Sequence, residues 1–334
     1  MRFLIKRILQ GILVLWGIVS ILFLIFYTLG DPIEYLVDEG ADEATKTAIR
    51  ARYGLDKSLL VQYATYINDL SPIGFYETDS GESFGIKSPS LGTSYQTNRG
   101  VAGLIANRLS GTAILAGASL IFAAILGLIL GVIASLYKDK WPDRLILGGS
   151  VLGISAPSFF VGVLVVWLFS VKWGSSTGLH ATGFIFEEKL FGEGYNIVWK
   201  NLLLPALALG IRPLAVFVQL TRSSMLDVLS QDYIRTAHAK GLAPKIVLIR
   251  HAFRNALSPV MTSATGWLAS LLAGAFFIEY IFNWQGIGQL TIEALNTKDF
   301  PVILGCALFI GLIFVLVSIV TDAMYKVLDP RVEL

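Results

Sequence analysis

Residues Gly111–Leu136 read GTAILAGASLIFAAILGLILGVIASL, a run without Asp, Glu, Lys or Arg. About 20 mostly apolar residues in a helix cross the ~30 Å hydrocarbon core of a bilayer, so this stretch reads as a membrane span. Five others are of similar length and mostly apolar: roughly Ile8–Leu29, Leu145–Val171, Leu202–Leu220, Leu257–Phe282 and Pro301–Tyr325. A soluble globule of 334 residues buries a large core, but it does not gather its apolar residues into several runs of this length. The expected fold is all-α and integral to the membrane, with about six transmembrane helices. Composition agrees. Hydrophobic residues make up 54% of the chain and charged residues 15%, against roughly 25% charged in an average soluble domain, and the mean hydropathy is +0.67.

Arg2, Lys6 and Arg7 precede the first run, as they would in a secretory signal. The run is longer than the ~7–15 apolar residues of a signal core, and no small-x-small site precedes Asp31-Pro32. It is read as a retained first helix. The predicted organisation is that helix over 1–30, an outer loop over 31–110, the main transmembrane domain over 111–325 with a polar segment at 222–259, and a tail over 326–334.

Lys and Arg placement sets orientation. Basic residues cluster at Lys138, Lys140 and Arg144, at Arg222, Arg235, Lys240, Lys245, Arg250 and Arg254, and at Lys326 and Arg331. The short loops between these clusters hold only Lys189, Lys200 and Lys298. Both termini are therefore expected in the cytoplasm. The seven basic residues of the long first loop carry little weight, because long translocated segments escape the rule. In that loop Leu59, Tyr63, Tyr66, Ile67 and Leu70 recur at helical spacing, so one face of a helix should pack. Ser71–Gly100 is rich in Gly, Ser, Thr and Pro and reads as a surface loop, and Trp173–Asn201, with several glycines, as irregular.

The segment from Arg222 to Pro259 is too polar to span and too patterned to be slack. Asp232 is a plausible N-cap, Tyr233–Lys240 a short helix, Gly241 its stop, and Pro244 the start of the next helix. A solvated basic loop is the plainer alternative.

Here the sequence resembles a known family. Asp232-Tyr233-Ile234-Arg235-Thr236-Ala237-His238-Ala239-Lys240-Gly241-Leu242, followed by Arg250-His251-Ala252-Phe253-Arg254-Asn255-Ala256-Leu257-Ser258-Pro259, is similar to the cytoplasmic loop of ABC importer permeases of the dipeptide/oligopeptide/nickel branch. Thr221–Leu226, Ala156–Phe160, Leu203–Ala206, Glu279–Gly288 and Asp329–Arg331 match in the same order. The general importer loop carries Glu-Ala-Ala where Arg235-Thr236-Ala237 stands here, a substitution typical of the peptide branch, and Gln285 replaces a usual proline. The resemblance implies that Asp232, Tyr233, Arg235, Thr236, Ala237, Lys240 and Gly241 form a coupling helix docking on a separate ATPase subunit. It further implies a homologous second permease subunit, two ATPase subunits that bind ATP and magnesium, and an extracytoplasmic solute-binding protein. The setting would be a bacterial or archaeal plasma membrane, the inner membrane in a Gram-negative cell. The implied substrate is a dipeptide or oligopeptide, with nickel, glutathione and sugar oligomers as alternatives.

No Gly-x-x-x-x-Gly-Lys-Ser/Thr phosphate loop occurs, so ATP chemistry is expected in a partner and the chain is not expected to be an enzyme. His180, His238 and His251 have no metal-ligand spacing, and no hydrolase motif is present. An ion-coupled secondary transporter would show related halves and midplane acids. The near-neutral net charge of +2 points to neither nucleic acid nor an acidic partner. Cys306, the single cysteine, lies in an apolar run and reads as a packing residue. Arg212, beside Pro213 in the fourth predicted helix, is a pathway or bundle charge by default, with Glu279 as a candidate bundle partner. Ser119, Ser150, Ser155, Ser158, Thr262, Ser263 and Thr265 either face the pathway or pack helices.

Overall fold

The computed structural model describes residues 2–28, 33, 42–78, 81–189, 194–272 and 275–328. In hydrocarbon each backbone polar group must be satisfied within the protein, which favours long helices. Among the described residues four helices are long and apolar enough to cross a membrane: α1 (Arg2–Thr28), α4 (Val101–Leu136), α8 (Lys200–Leu229) and α14 (Phe300–Leu328). α5 (Trp141–Ser155) and α6 (Ser158–Val165), the latter continued by a π-helical stretch Val166–Lys172, make a fifth crossing if counted together, with a bend of 111° between them.

Two of the six expected spans are therefore not single helices. The stretch Leu145–Val171 breaks at Ala156-Pro157. Pro157 offers no N–H and drives the preceding residue out of the helical region, and Ala156 is extended at φ −71°, ψ 130°. The stretch Leu257–Phe282 divides into α11 (Arg254–Leu272) and α12 (Phe276–Ile281). The all-α expectation also needs amending. β1 (Ile73–Thr78) pairs antiparallel with β2 (Gly81–Ile86), and β3 (Phe186–Glu188) with β4 (Tyr195–Ile197). Their turn-rich composition hid the alternation of Ile73, Phe75 and their cross-strand partners Ile86 and Phe84.

The remaining elements are α2 (Glu43–Tyr53), α3 (Leu59–Leu70), α7 (Gly174–Thr177), α9 (Asp232–Ala239), α10 (Pro244–Ile246), a π-helical stretch Val247–Phe253, and α13 (Ile287–Thr297). The chain forms two compact units, one of 1–110 with 290–312, the other of 111–289 with 313–334.

In the first unit α3 packs on α1, as its apolar face requires. Ser20 and Tyr63 share a hydroxyl–hydroxyl bond of 2.6 Å, and the Phe23 ring lies 5.3 Å from Tyr63 and 6.4 Å from Tyr66. Asp299 is buried and accepts from Ser94 Oγ at 2.5 Å and from the backbone N–H groups of Tyr95 and Gln96 at 3.1 and 3.4 Å. That carboxylate fixes the Ser94–Gln96 turn against the start of α14. Burial, with the Asp299 charge adding, pushes the Tyr95 phenol up to about 12, so it stays neutral. Cys306 is fully buried.

In the second unit α4 and α8 approach through small residues, the usual device where lipid gives no hydrophobic drive. A Cβ on Gly127 would meet Phe217 Cβ at 2.6 Å, and one on Gly131, a turn later, Thr221 Cβ at 2.5 Å. Phe217 and Val260 of α11 are buried with Ala123 of α4, so three helices meet there. Ser119 and Ser150 are buried and bond back to Leu115 and Ile146 carbonyls in their own helices, which leaves them packing residues.

Candidate functional site

The polar segment folds as an arm of short helices. α8 has thirty residues, about 45 Å at 1.5 Å per residue, and its last turns reach Arg222 and Met225. Arg222 grips Asp143 at the start of α5 in a two-pronged pair, Nε to Oδ1 at 2.6 Å and Nη2 to Oδ2 at 2.7 Å. Asp143 is only 1% exposed and also accepts the Asp139 N–H at 2.8 Å, where Asp139 has a left-handed φ of 63°. Two parallel bonds give this contact direction as well as energy. Sequence pattern marks Arg222 only as a topology charge and does not single out Asp143. The one signal for Asp143 is its place as an acid among Lys138, Lys140 and Arg144.

Beyond Ser230 the chain enters α9. Gln231, not Asp232, takes the N-cap position, and Asp232 is the first helical residue, where a carboxylate suits the positive end of the helix dipole. Ile234 and Ala237, one turn apart, are buried with Met225, Val247, Ala252 and Ala256. Ala237 thus holds the arm together and is not part of an outward face. Tyr233, Asp232, Arg235, Thr236 and Lys240 are exposed. The Tyr233 hydroxyl accepts from Asn255 Nδ2 at 3.1 Å, and Arg235 lies 3.3 Å from Asp232.

α9 ends as the glycine demands. Gly241 has φ 77°; its N–H donates to the His238 carbonyl at 2.9 Å, and the Leu242 N–H to the Ala237 carbonyl at 3.4 Å. This is the Schellman pattern, completed by apolar contact of Leu242 with the cluster that buries Ala237. Pro244 opens α10, as expected, and a wide π-helical stretch leads into α11.

A second cluster of the same unit surrounds Glu279. This residue is fully buried. Its Oε1 accepts from Thr112 Oγ1 at 2.9 Å, and its Oε2 from the Gly288 and Gln289 N–H groups at 2.7 and 3.1 Å. The carboxylate sits at the N-terminus of α13, where backbone N–H groups and the dipole both favour it. Thr112 Oγ1 accepts the Ile287 N–H at 2.8 Å, and Trp284 Nε1 donates to the Gly111 carbonyl at 2.8 Å. The motif Glu279–Gly288 is thus a closed knot on the first turn after Ser110. Arg212 lies elsewhere: it is exposed on α8 and forms no ion pair among the described residues, so the suggested Arg212–Glu279 bundle pair is not made. The Asp322 side chain and the motif Asp329–Arg331 fall outside the described residues. No group of three metal-ligating side chains occurs among the described residues.

The chain is similar to known proteins along its whole length. The family described as binding-protein-dependent transport system inner membrane component matches residues 127–334, and its N-terminal companion matches residues 1–116. A dipeptide transport system permease protein of Alkalihalophilus pseudofirmus is 34% identical over 98% of this chain and 98% of its own. A glutathione transport system permease protein of Escherichia coli is 34% identical over 100% of this chain and 99% of its own. In solved structures, the inward-facing methionine ABC transporter MetNI gives a TM-score of 0.51 at 13% identity, over 68% of this chain and 97% of that one, which speaks to the fold alone. Matched from end to end by relatives of this kind, the chain belongs to the binding-protein-dependent transport system inner membrane components, the multi-pass permease subunits of ABC importers.

Proposed function

We propose that the chain moves dipeptides or oligopeptides, delivered by a solute-binding protein, across the membrane, and that the α9 arm couples it to the ATPase. The observation that carries the coupling role is the division of α9. One face is locked to α8 and the π-helical stretch through Ile234 and Ala237, while Asp232, Tyr233, Arg235, Thr236 and Lys240 are exposed. A helix held on one face transmits a push; a slack loop absorbs it. Gly241 sets where that helix ends.

In the full assembly a homologous second permease subunit completes the pathway, two ATPase subunits bind ATP and magnesium, and the arm lies on their side of the membrane. Six crossings, counting the bent α5–α6 pair as one and α11 with α12 as another, would leave both termini on one side of the membrane, and the placement of Lys and Arg supports the cytoplasm as that side. Arg212 then remains a candidate pathway charge. The substrate reading rests on the dipeptide permease and on a Brucella ovis relative with a peptide-permease name, 36% identical over 100% of this chain and 99% of its own. The glutathione permease supports the same chemistry, since glutathione is itself a small peptide.

The test is uptake into vesicles bearing the complete importer and its cognate binding protein. Labelled dipeptides and tetrapeptides should accumulate in an ATP-dependent way, and nickel and sugar oligomers should not. Accumulation of either of those without peptide overturns the substrate assignment. Reporter fusions after Lys140, near Gly241 and after Arg331 should read cytoplasmic, and those near Gly85 and Glu188 external; the opposite pattern overturns the orientation.

A further inference from the structure

The first unit contains a cavity of about 720 Å³, within the ~300–1,000 Å³ range of small-molecule sites. Gln62, Thr65, Tyr66 and Asp69 line it; that spacing makes them one face of α3. Charge is divided along this face. Arg52 and Lys57 border the cavity just before α3 begins, and Asp69, half-exposed and in a long 3.5 Å pair with Lys87 through Oδ1, borders it near the helix end. Leu59 to Asp69 is a rise of about 15 Å at 1.5 Å per residue, the length of an extended peptide of about four residues. Between the charged ends Phe23, Phe26 and Phe300 supply apolar wall.

The wall is held in place beforehand. Phe26 and Phe300 rings lie 4.8 Å apart, and the Tyr53 and Tyr95 rings 4.7 Å apart. The Arg52 guanidinium sits 5.5 Å over Tyr53 and donates to Asn98 at 3.2 Å, while Asp299 fixes the backbone of Tyr95. Beside this wall the Tyr66 hydroxyl is buried with no hydrogen-bond partner among the described residues, an unfavourable arrangement unless something accepts its proton. A lipid chain would use neither that hydroxyl nor the charges, and an anionic headgroup spanning the cavity would meet Asp69.

We propose that this cavity binds a short zwitterionic peptide, its carboxylate toward Arg52 and Lys57, its ammonium toward Asp69, and its apolar side chains among the phenylalanines. The choice of ligand rests on the peptide-importer reading above; the site itself rests on the cavity.

The experiment uses the full-length chain in nanodiscs of zwitterionic lipid and a tetrapeptide carrying a benzophenone photolabel. Covalent labelling should map to the cavity lining, 23–26, 52–69, 91–95 or 300–304, and free tetrapeptide should compete while its N-acetylated, C-amidated form should not. Thr65→Trp, at an exposed position, fills the cavity and should cut labelling at least tenfold; Tyr66→Phe, which removes only the hydroxyl, should cut it about threefold. Both variants should insert and elute as the parent does. Labelling elsewhere, equal competition by the blocked peptide, or displacement by phosphatidylglycerol alone would overturn the site, the last marking it as a lipid groove. Vesicle uptake by the complete importer separates the two readings. Peptide uptake without labelling of the cavity lining removes the cavity alone, whereas labelling there by an importer that carries only another solute retains the site and removes the substrate assignment.

Discussion

At Gly241 an added Cβ would meet nothing within 4 Å, whereas at Gly286 it would land on the Glu279 carboxylate. Both glycines close a motif that the sequence displays openly, yet the chain needs them for different reasons. Gly241 has a left-handed φ of 77° and ends a helix with open space around it, so what matters there is backbone conformation. Gly286 and Gly288 lie where backbone and carboxylate leave no volume; a Cβ on Gly288 would sit 2.7 Å from Phe276 Cα. The two regions differ accordingly. The arm is built to present a surface, and its stability comes from a few apolar residues on one side. The Glu279 knot is built to exclude everything, and its stability comes from a buried carboxylate that backbone N–H groups and a threonine hydroxyl satisfy.

That contrast can be broken most directly at the knot. Glu279→Ala leaves the Thr112 hydroxyl and the Gly288 and Gln289 N–H groups without this acceptor, a loss of roughly 3–5 kcal/mol by analogy with breaking a buried charge pair. Gly286→Val should do comparable damage by volume. Either variant should lower yield and resistance to SDS unfolding before any transport step is reached, and wild-type stability in both would end the account of the knot. Asp143→Asn comes next. It weakens the Arg222 pair that joins α5 to the end of α8, and because Arg222 is 20% exposed the expected loss is smaller, about 2 kcal/mol. Its readout is thermal stability of the purified chain. Asp143→Asn together with Arg222→Gln should cost less than the two single changes summed, since each single change strands its partner.

At the arm the effects should be functional more than structural. Gly241→Val strains the backbone by about 1–3 kcal/mol, too little to unfold the transmembrane helices. Insertion should stay near normal while co-purification with the ATPase subunits falls; Gly241→Asn, which tolerates the left-handed region, should restore much of it. The smallest effect belongs to Arg235→Glu. Its pair with Asp232 is exposed on both sides, 77% and 94%, and such pairs contribute about 0–1 kcal/mol. Stability should not move, and any loss of docking should grow at low salt, because exposed charges are screened beyond ~8 Å at physiological ionic strength. Unchanged docking in both Gly241→Val and Arg235→Glu would remove the coupling role from the arm.

The sequence by itself determined the membrane setting, the long apolar helices, the end of α9 at Gly241 and the restart at Pro244. Each depends on local information: hydrophobic length, a residue without Cβ, a residue without N–H. Within the polar segment 222–259 the stop at Gly241 and the restart at Pro244 were legible for the same reason, since such signals act within a few positions. The N-cap fell one residue earlier than expected, at Gln231. What only the tertiary structure decided lies across long separations. Asp143 meets Arg222 from 79 residues away and Thr112 meets Glu279 from 167 residues away, and no local pattern tells either acid which partner it will find. Ala237 shows the same limit in reverse. Its place in a recognisable motif implied a docking residue, but its side chain is buried with Met225, Val247 and Ala256. Which face of an eight-residue helix turns inward depends on the surface it meets, and α8 with the π-helical stretch after Ile246 supplies that surface. The bend at Pro157 stands between the two cases: the proline requires that the helix break, but its flanking helices, packing separately, set the angle of 111°.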